Sequence, residues 1–191
     1  MATYPLAARR KEGLLATLNG RGHKLALYGF MFIVLAHWSE HVIQAIQVWW
    51  LDWPRPQSKG FLGYYFPWLA TSEWLHYGYA VVMLIFLIAL RPGFTGRSRS
   101  WWNLALGIQV WHHLEHLLLL IQAITTSYLF GAKVPTSILQ TAFPRVELHL
   151  VYNAIVTIPM IIAVVLHMRP NAAERSRMNC SCAVGSGSHA H

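Results

Sequence analysis

The hydrophobic pattern of the chain consists of four long apolar segments separated by polar or proline-containing stretches. They cover, to within a few residues, positions 25–50, 68–90, 101–130 and 146–168. Each is as long as the roughly 20 helical residues that cross a lipid bilayer. Because lipid offers no hydrogen bonds to a bare backbone, such segments are helices. The pattern predicts an all-α fold, an integral membrane four-helix bundle.

Two of these segments carry the same polar motif. Residues 37–41 and 112–116 both read His-x-x-Glu-His, and Ile-Gln follows each copy at the same spacing. The second and fourth segments share the pattern Leu-His-x-x-Tyr, at residues 75–79 and 148–152. We interpret the similarity as two helical hairpins that form a parallel repeat, related by a two-fold axis along the membrane normal.

The composition supports a membrane protein. Hydrophobic residues make up 55% of the 191 residues and charged residues only 12%, about half the share of a soluble domain. The net charge of +8 could indicate a nucleic-acid partner. The basic residues lie in short flanks beside the apolar segments, however, and a negatively charged membrane face explains that distribution better. We therefore expect no nucleic-acid partner.

Lysine and arginine also predict the orientation. They are concentrated before the first segment, between the second and third, and after the fourth, which favours a multi-pass protein with both termini in the cytoplasm. The predicted regions are a basic cytoplasmic segment (1–24), a transmembrane domain (25–168) and a flexible cytoplasmic tail (169–191). The expected partners are the lipid bilayer and either other membrane subunits or further copies of the chain.

The polar motif points to a metal. Residues three and four positions apart share one face of a helix, so each His-x-x-Glu-His copy presents three potential ligands together. An ionised carboxylate at mid-membrane costs about 2.5 kcal/mol or more, and no lysine or arginine lies well inside a segment. Either a bound cation or protonation of the glutamates would solve this problem.

The predicted ligands are the histidines and glutamates that the four helices bring to one level in the outer half of the membrane. They are His37, Glu40, His41, Glu73, His76, His112, Glu115, His116 and His149. This set exceeds what one ion normally takes, so we expect a binuclear site. Imidazole with carboxylate suits iron, copper or zinc. Each histidine has an alternative role as a hydrogen-bonded packing residue.

Four further residues are expected around the site: Tyr79, Tyr152, Gln44 and Glu147. For Glu147 the alternative is an ion pair with Arg145. In the tail, Cys180 and Cys182 form a weaker candidate site for Cu⁺ or Zn²⁺, with palmitoylation or no role as alternatives.

The predicted function is that of a membrane metalloprotein with redox chemistry on a lipophilic substrate or quinol. We assign no catalytic residue. One alternative is transport or delivery of a transition metal. Another is a b-type haem electron carrier with His41 and His116 as axial ligands. A third is a metal-free, hydrogen-bonded core of protonated glutamates.

Overall fold

The computed structural model describes residues 13–182, and this part of the chain is all-helical, without a β-strand. This confirms the all-α part of the prediction. The helices, in chain order, are α1 (Leu14–Asn19), α2 (His23–Trp49), α3 (Gly60–Tyr65), α4 (Pro67–Thr71), α5 (Glu73–Leu90), α6 (Gly96–Thr125), α7 (Arg145–Met168) and α8 (Ala172–Arg175).

Four of these helices, α2, α5, α6 and α7, are long and apolar enough to cross a membrane. They correspond to the four predicted segments, but two bounds differ from the prediction. The segment predicted to begin at residue 68 is interrupted at Ser72, whose extended backbone and Oγ cap α5 by accepting from the Leu75 N–H at 3.4 Å. The third predicted segment, which corresponds to α6, was expected to reach residue 130. Helix α6 ends at Thr125 instead, because Thr126 adopts a left-handed φ of 53°.

The four long helices form a closed ring. Helix α2 packs against α5 and α7, and α6 packs against the same two neighbours. The order around the ring is therefore α2, α5, α6, α7, with α2 diagonal to α6. One end of the interior is apolar and contains Leu27, Phe30, Leu87, Trp102 and Met160. The other end contains the histidines of the two His-x-x-Glu-His motifs together with His76 and His149.

Helix α7 has one interruption of its hydrogen-bond ladder. Pro159 is buried inside the helix and lacks the N–H that would bond to the carbonyl of residue 155. It lies between His149, at the polar end of α7, and His167, at the other end. The backbone of α7 is thus least constrained midway along its length.

Part of the segment expected to be a flexible tail is folded. Residues 169–182 include α8, whose Asn171 and Glu174 form a capping box, while the remaining tail lies outside the described residues. The Glu174 carboxylate also accepts from Arg97, from its backbone N–H at 2.9 Å and its Nε at 3.0 Å. Gly96 permits this approach, since it has φ +55° and a Cβ there would lie 2.6 Å from Glu174 Oε1.

These contacts predict a pH-dependent attachment of α8. The hydrogen bonds from Arg97 lower the pKa of Glu174 to about 2 from an ordinary 4.5. A lowered pKa in the folded state gives stability that is present above pH 4.5 and lost as the pH falls towards 2. We expect Glu174→Gln to speed tryptic cleavage after Arg177, and the difference in thermal midpoint between parent and variant to shrink below pH 4.5.

The matched control is Asp52→Asn, which removes an exposed carboxylate elsewhere in the chain. It should leave the cleavage rate in the tail unchanged. Equal cleavage rates for the parent and Glu174→Gln would show that the Arg97 contact does not hold α8.

Candidate functional site

Six imidazole rings from all four long helices meet in the polar end of the bundle. His149 of α7 contacts the most neighbours. Its ring centroid lies 5.5 Å from that of His41 and 5.3 Å from that of His116. It lies 6.1 Å from His76 and 6.2 Å from His112. The sixth ring, that of His37 on α2, contacts His41. We call this set the six-histidine centre: His37, His41, His76, His112, His116 and His149.

The backbone fixes two of these rings in the same way. His76 Nδ1 lies 2.8 Å from the Ser72 carbonyl, and His149 Nδ1 lies 2.8 Å from the Arg145 carbonyl. A carbonyl only accepts, so each Nδ1 carries the proton and each neutral ring keeps a lone pair on Nε2. Metal-binding histidines commonly show this arrangement, because the second nitrogen orients the ring.

Helix α2 supplies a similar pair. Gln44 Oε1 accepts from His41 Nδ1 at 2.9 Å, which places Gln44 beside the centre as expected. His41 Nε2 lies 3.1 Å from His37 Nε2. Two nitrogens at this distance share one proton or could face a common cation.

Several ring nitrogens of the centre are buried without a hydrogen bond. Within residues 13–182, His149 Nε2, His112 Nδ1 and His116 Nδ1 find no partner. Buried polar atoms in folded proteins are usually satisfied, and an unsatisfied one costs about 1–3 kcal/mol. The six rings cannot all be charged, because like charges in contact repel. The centre is therefore a concentration of neutral donors with free lone pairs.

The spacing of these donors is wider than that of a single closed metal site. In the described part of the chain, one trio of potential ligands has donor atoms within 4.8 Å of one another, and it lies elsewhere, at His23, His167 and Cys182. The rings of the six-histidine centre would have to rotate to share an ion. The rings form two pairs, His37 with His41 and His112 with His116, and two single histidines, His76 and His149. This distribution is compatible with more than one ion.

The glutamates of the two motifs contact the segments that connect the long helices. Glu40 accepts from the Leu62 N–H at 3.0 Å, and Glu115 accepts from the Leu139 N–H at 3.2 Å and from Ser137 Oγ at 2.6 Å. In both cases the partner lies in the segment that follows the helix, and Leu62 belongs to the short helix α3 of that segment. Their role as ligands stays a prediction, and these hydrogen bonds would have to be exchanged for it.

The glutamines of the motifs hold the same loops. Gln47 accepts from the Gly60 N–H at 2.9 Å and donates to the Gly60 carbonyl at 3.2 Å. Gln122 makes the corresponding pair with the backbone of Thr136, at 3.2 and 2.9 Å. The glutamate and the glutamine of each motif copy thus hold the following segment in place, and the histidines of the copy face the interior of the bundle.

Arginines from outside the apolar segments neutralise the other two glutamates. Arg145 lies 2.6 Å from Glu73, and Arg55 lies 2.6 Å from Glu147. The alternative pairing of Glu147 with Arg145 is therefore wrong. Arg145 is the first residue of α7 and reaches across to the first residue of α5, while Arg55 comes from the loop after α2. Both carboxylates thus receive positive charge that the apolar segments themselves lack.

Both expected tyrosines lie against the centre. The Tyr79 ring stacks on His37 with centroids 3.6 Å apart, and Tyr152 lies 4.4 Å from His112. Trp111 Nε1 donates to the Tyr152 hydroxyl at 2.7 Å, which leaves the hydroxyl proton available to another acceptor.

A cavity at the centre and a groove beside it differ in character. The cavity, of about 240 Å³, is lined by His41, His76 and His149 and by the basic side chains of Arg55 and Arg145. The groove, of about 230 Å³, is apolar and is lined by Phe143, Val151 and Tyr152 but by no histidine. It approaches the centre only through Tyr152, whose ring packs on His112.

Sequence reasoning missed one cluster. His23 and His167 lie next to Cys180 and Cys182 at the opposite end of the bundle. A signal for it exists in the spacing. His23 precedes His41 by 18 residues, and His149 precedes His167 by 18 residues, which is five turns of 3.6. Each pair therefore lies on one face of its helix.

Comparison with protein-family models, with curated proteins and with solved structures finds no significant match to this chain. The chemistry of its sites therefore has to be argued from its own residues.

Proposed function

We propose that this chain is an integral membrane metalloprotein whose six-histidine centre holds a binuclear transition-metal site for redox chemistry. One observation carries the proposal. Four helices that are long and apolar enough to cross a membrane bring six imidazoles into mutual contact, with unsatisfied nitrogens among them. Ionisable side chains inside a membrane domain are expensive and usually functional.

Paired contacts support the proposed two-hairpin repeat. The loop contacts of Glu40 and Gln47 recur at Glu115 and Gln122, and the tyrosine of each hairpin packs on its first motif histidine. A two-fold axis through the ring would place α2 opposite α6 and would give each hairpin three histidines. Three neutral imidazoles for each ion would make a chemically reasonable pair of sites.

The donor set favours copper, then iron. Imidazole suits copper, iron and zinc, but zinc has no redox chemistry. Non-haem iron oxygenases add a carboxylate to their histidines, and the four glutamates here have loop or arginine partners. When bound, the metal would supply one-electron redox chemistry that the side chains lack.

The side chains around the centre have roles that follow from their positions. The apolar groove beside Tyr152 would receive the lipophilic substrate or quinol, and the Tyr152 hydroxyl would donate a hydrogen bond to an oxygen of that substrate. Arg55, Lys59 and Arg145 line the other cavity. They would attract a small polar or anionic co-substrate from the aqueous side.

Transport or delivery of a transition metal is the second candidate. The observation that favours it is the presence of donor clusters at both ends of the bundle. Uptake of labelled copper or zinc into proteoliposomes would distinguish transport from an enzyme. The packing does not favour a haem between His41 and His116, because the His149 ring lies within 5.5 Å of both.

The direct test is a metal inventory with an optical and paramagnetic-resonance spectrum on the same purified sample. We expect copper or iron at about two equivalents in protein grown in metal-replete medium, because a preformed site of this kind retains its ion. Zinc alone would contradict the redox role. Less than about half an equivalent of any transition metal would contradict the metalloprotein itself.

A further inference from the structure

A second set of metal-ligating side chains lies where the two ends of the described chain meet. His23 is the first residue of α2, and His167 is in the last turn of α7. One donor atom from each of these histidines and the Cys182 sulfur lie within 4.8 Å of one another. Cys180 Sγ lies 3.3 Å from His167 Nε2. Two imidazoles and one thiol thus lie close together, and the second thiol, that of Cys180, lies beside them against His167.

This cluster is buried, and its nitrogens are incompletely satisfied. His23 is 0% exposed, His167 1% and Cys180 3%, whereas Cys182 is partly exposed. His23 Nδ1 donates to the Leu18 carbonyl at 3.0 Å, so the neutral ring keeps its lone pair on Nε2. That atom has no hydrogen-bond partner in the described structure. This is again the orientation typical of a metal-binding histidine.

The fold holds the cysteines in place from both sides. The residue between them, Ser181, donates its N–H to the Gly20 carbonyl at 2.9 Å, and its Oγ accepts from the Lys24 N–H at 3.1 Å. Phe94 covers the histidines, with its ring centroid 4.7 Å from that of His167. A tail that merely lay on the surface would not need these contacts.

We propose that His23, His167, Cys180 and Cys182 form a tetrahedral Zn²⁺ site that is separate from the six-histidine centre. Two thiolates and two imidazoles are a donor set typical of structural zinc. Zinc–ligand bonds of about 2.0–2.3 Å place neighbouring donors about 3.5 Å apart in a tetrahedron. The observed 3.3 Å contact already has this spacing, and small movements of the other side chains complete it.

A metal binds cysteine as the thiolate, so zinc binding at this site would release the protons of both thiols. The zinc site would fasten the start of α2, the end of α7 and the tail to one another. It goes beyond the proposed redox function and does not depend on it.

The experiment uses the full chain, whose only two cysteines are those of the proposed site, so every thiol measurement reports on it. Reduced, metal-free protein is titrated with Zn²⁺ or with Co²⁺ as a spectroscopic substitute. We expect the parent to bind one equivalent more than Cys180→Ser/Cys182→Ser. The cobalt form should show thiolate-to-cobalt charge transfer and the intense visible bands of a tetrahedral ion.

Maleimide labelling of the unsubstituted protein tests the same site without a variant that could misfold. We expect zinc to slow labelling of both thiols about tenfold or more, because a coordinated thiolate is a poor nucleophile, and a chelator to reverse this. His23→Gln should abolish the protection. The matched control is His113→Gln, because His113 lies outside both clusters and packs on Tyr77. This variant should retain the protection by zinc.

Equal zinc content in the parent and the double cysteine variant would overturn the proposal, as would labelling rates that do not respond to zinc. A cobalt spectrum without thiolate charge transfer would do the same. These failures are distinguishable from failure of the redox centre, because the six-histidine centre contains no thiol and its metal content is measured in the cysteine-free variant.

Discussion

His41→Ala and His116→Ala should each lose most of the metal of the six-histidine centre, and by similar amounts. The two residues occupy corresponding motif positions on diagonal helices, and each ring packs on His149. Metal bound only to the native state stabilises it, by about 2.7 kcal/mol when free metal exceeds Kd about 100-fold. The thermal midpoint of both variants should therefore fall, and added metal should not restore it.

Metal content is measured by elemental analysis in the Cys180→Ser/Cys182→Ser background, so that the tail cannot contribute. The matched control is His113→Ala, which removes the neighbour of His112 on α6 and should retain the metal. If the core contains no metal, the opposite result is expected for the parent protein. The thermal midpoint of the parent would then be the same with and without chelator, in a sample whose metal was shown to be removed.

Arg145→Met should destabilise the fold by about 3 kcal/mol, the lower end of the range for breaking a buried ion pair. Glu73 has a side chain that is only 8% exposed, and the substitution would leave its charge unpaired beside the histidines. The lower end applies because the Arg145 side chain is 39% exposed. The measurement is the thermal midpoint of purified protein in detergent.

The double variant Glu73→Gln/Arg145→Met should recover most of this loss, since no unpaired charge remains. Arg55→Met is the matched control. Its partner Glu147 is 23% exposed, so water compensates the carboxylate and a smaller change is expected. Equal losses for Arg145→Met and Arg55→Met, without recovery in the double variant, would show that the Glu73 charge is not the cause.

The four long helices were predictable because each has to be apolar over its whole length, and length and hydropathy are read directly from the chain. Their ends were less predictable, because local details determine them. Ser72 caps α5 and separates it from α4, and Thr126 ends α6 by adopting a left-handed conformation. Neither residue changes the hydropathy of its segment.

The closeness of the paired histidines on α2 and on α6 was predictable from helical spacing, since a shared face follows from i and i+4, whereas His149 was predicted from its depth in the fourth segment. The partners of the glutamates were not predictable. Glu40 and Glu115 accept from backbone N–H groups of the connecting segments, and every residue type except proline can supply a backbone N–H. The cluster of His23 and His167 with the cysteines was missed for a related reason. It depends on the tail folding back beside Gly20 and Lys24, which no local pattern encodes.

Pro159 determines how the two donor clusters can communicate. Helix α7 carries one histidine of each cluster, and α2 carries His23 together with two histidines of the centre. His23 and His41, like His149 and His167, lie five turns and about 27 Å apart on one face. Rotation of either helix about its axis would withdraw both histidines of such a pair together. Bending at Pro159 is different, since it can move His167 while His149 stays packed among its neighbours. An ion that holds the His167 end would then remove this freedom from α7, and coupling between two sites is reciprocal.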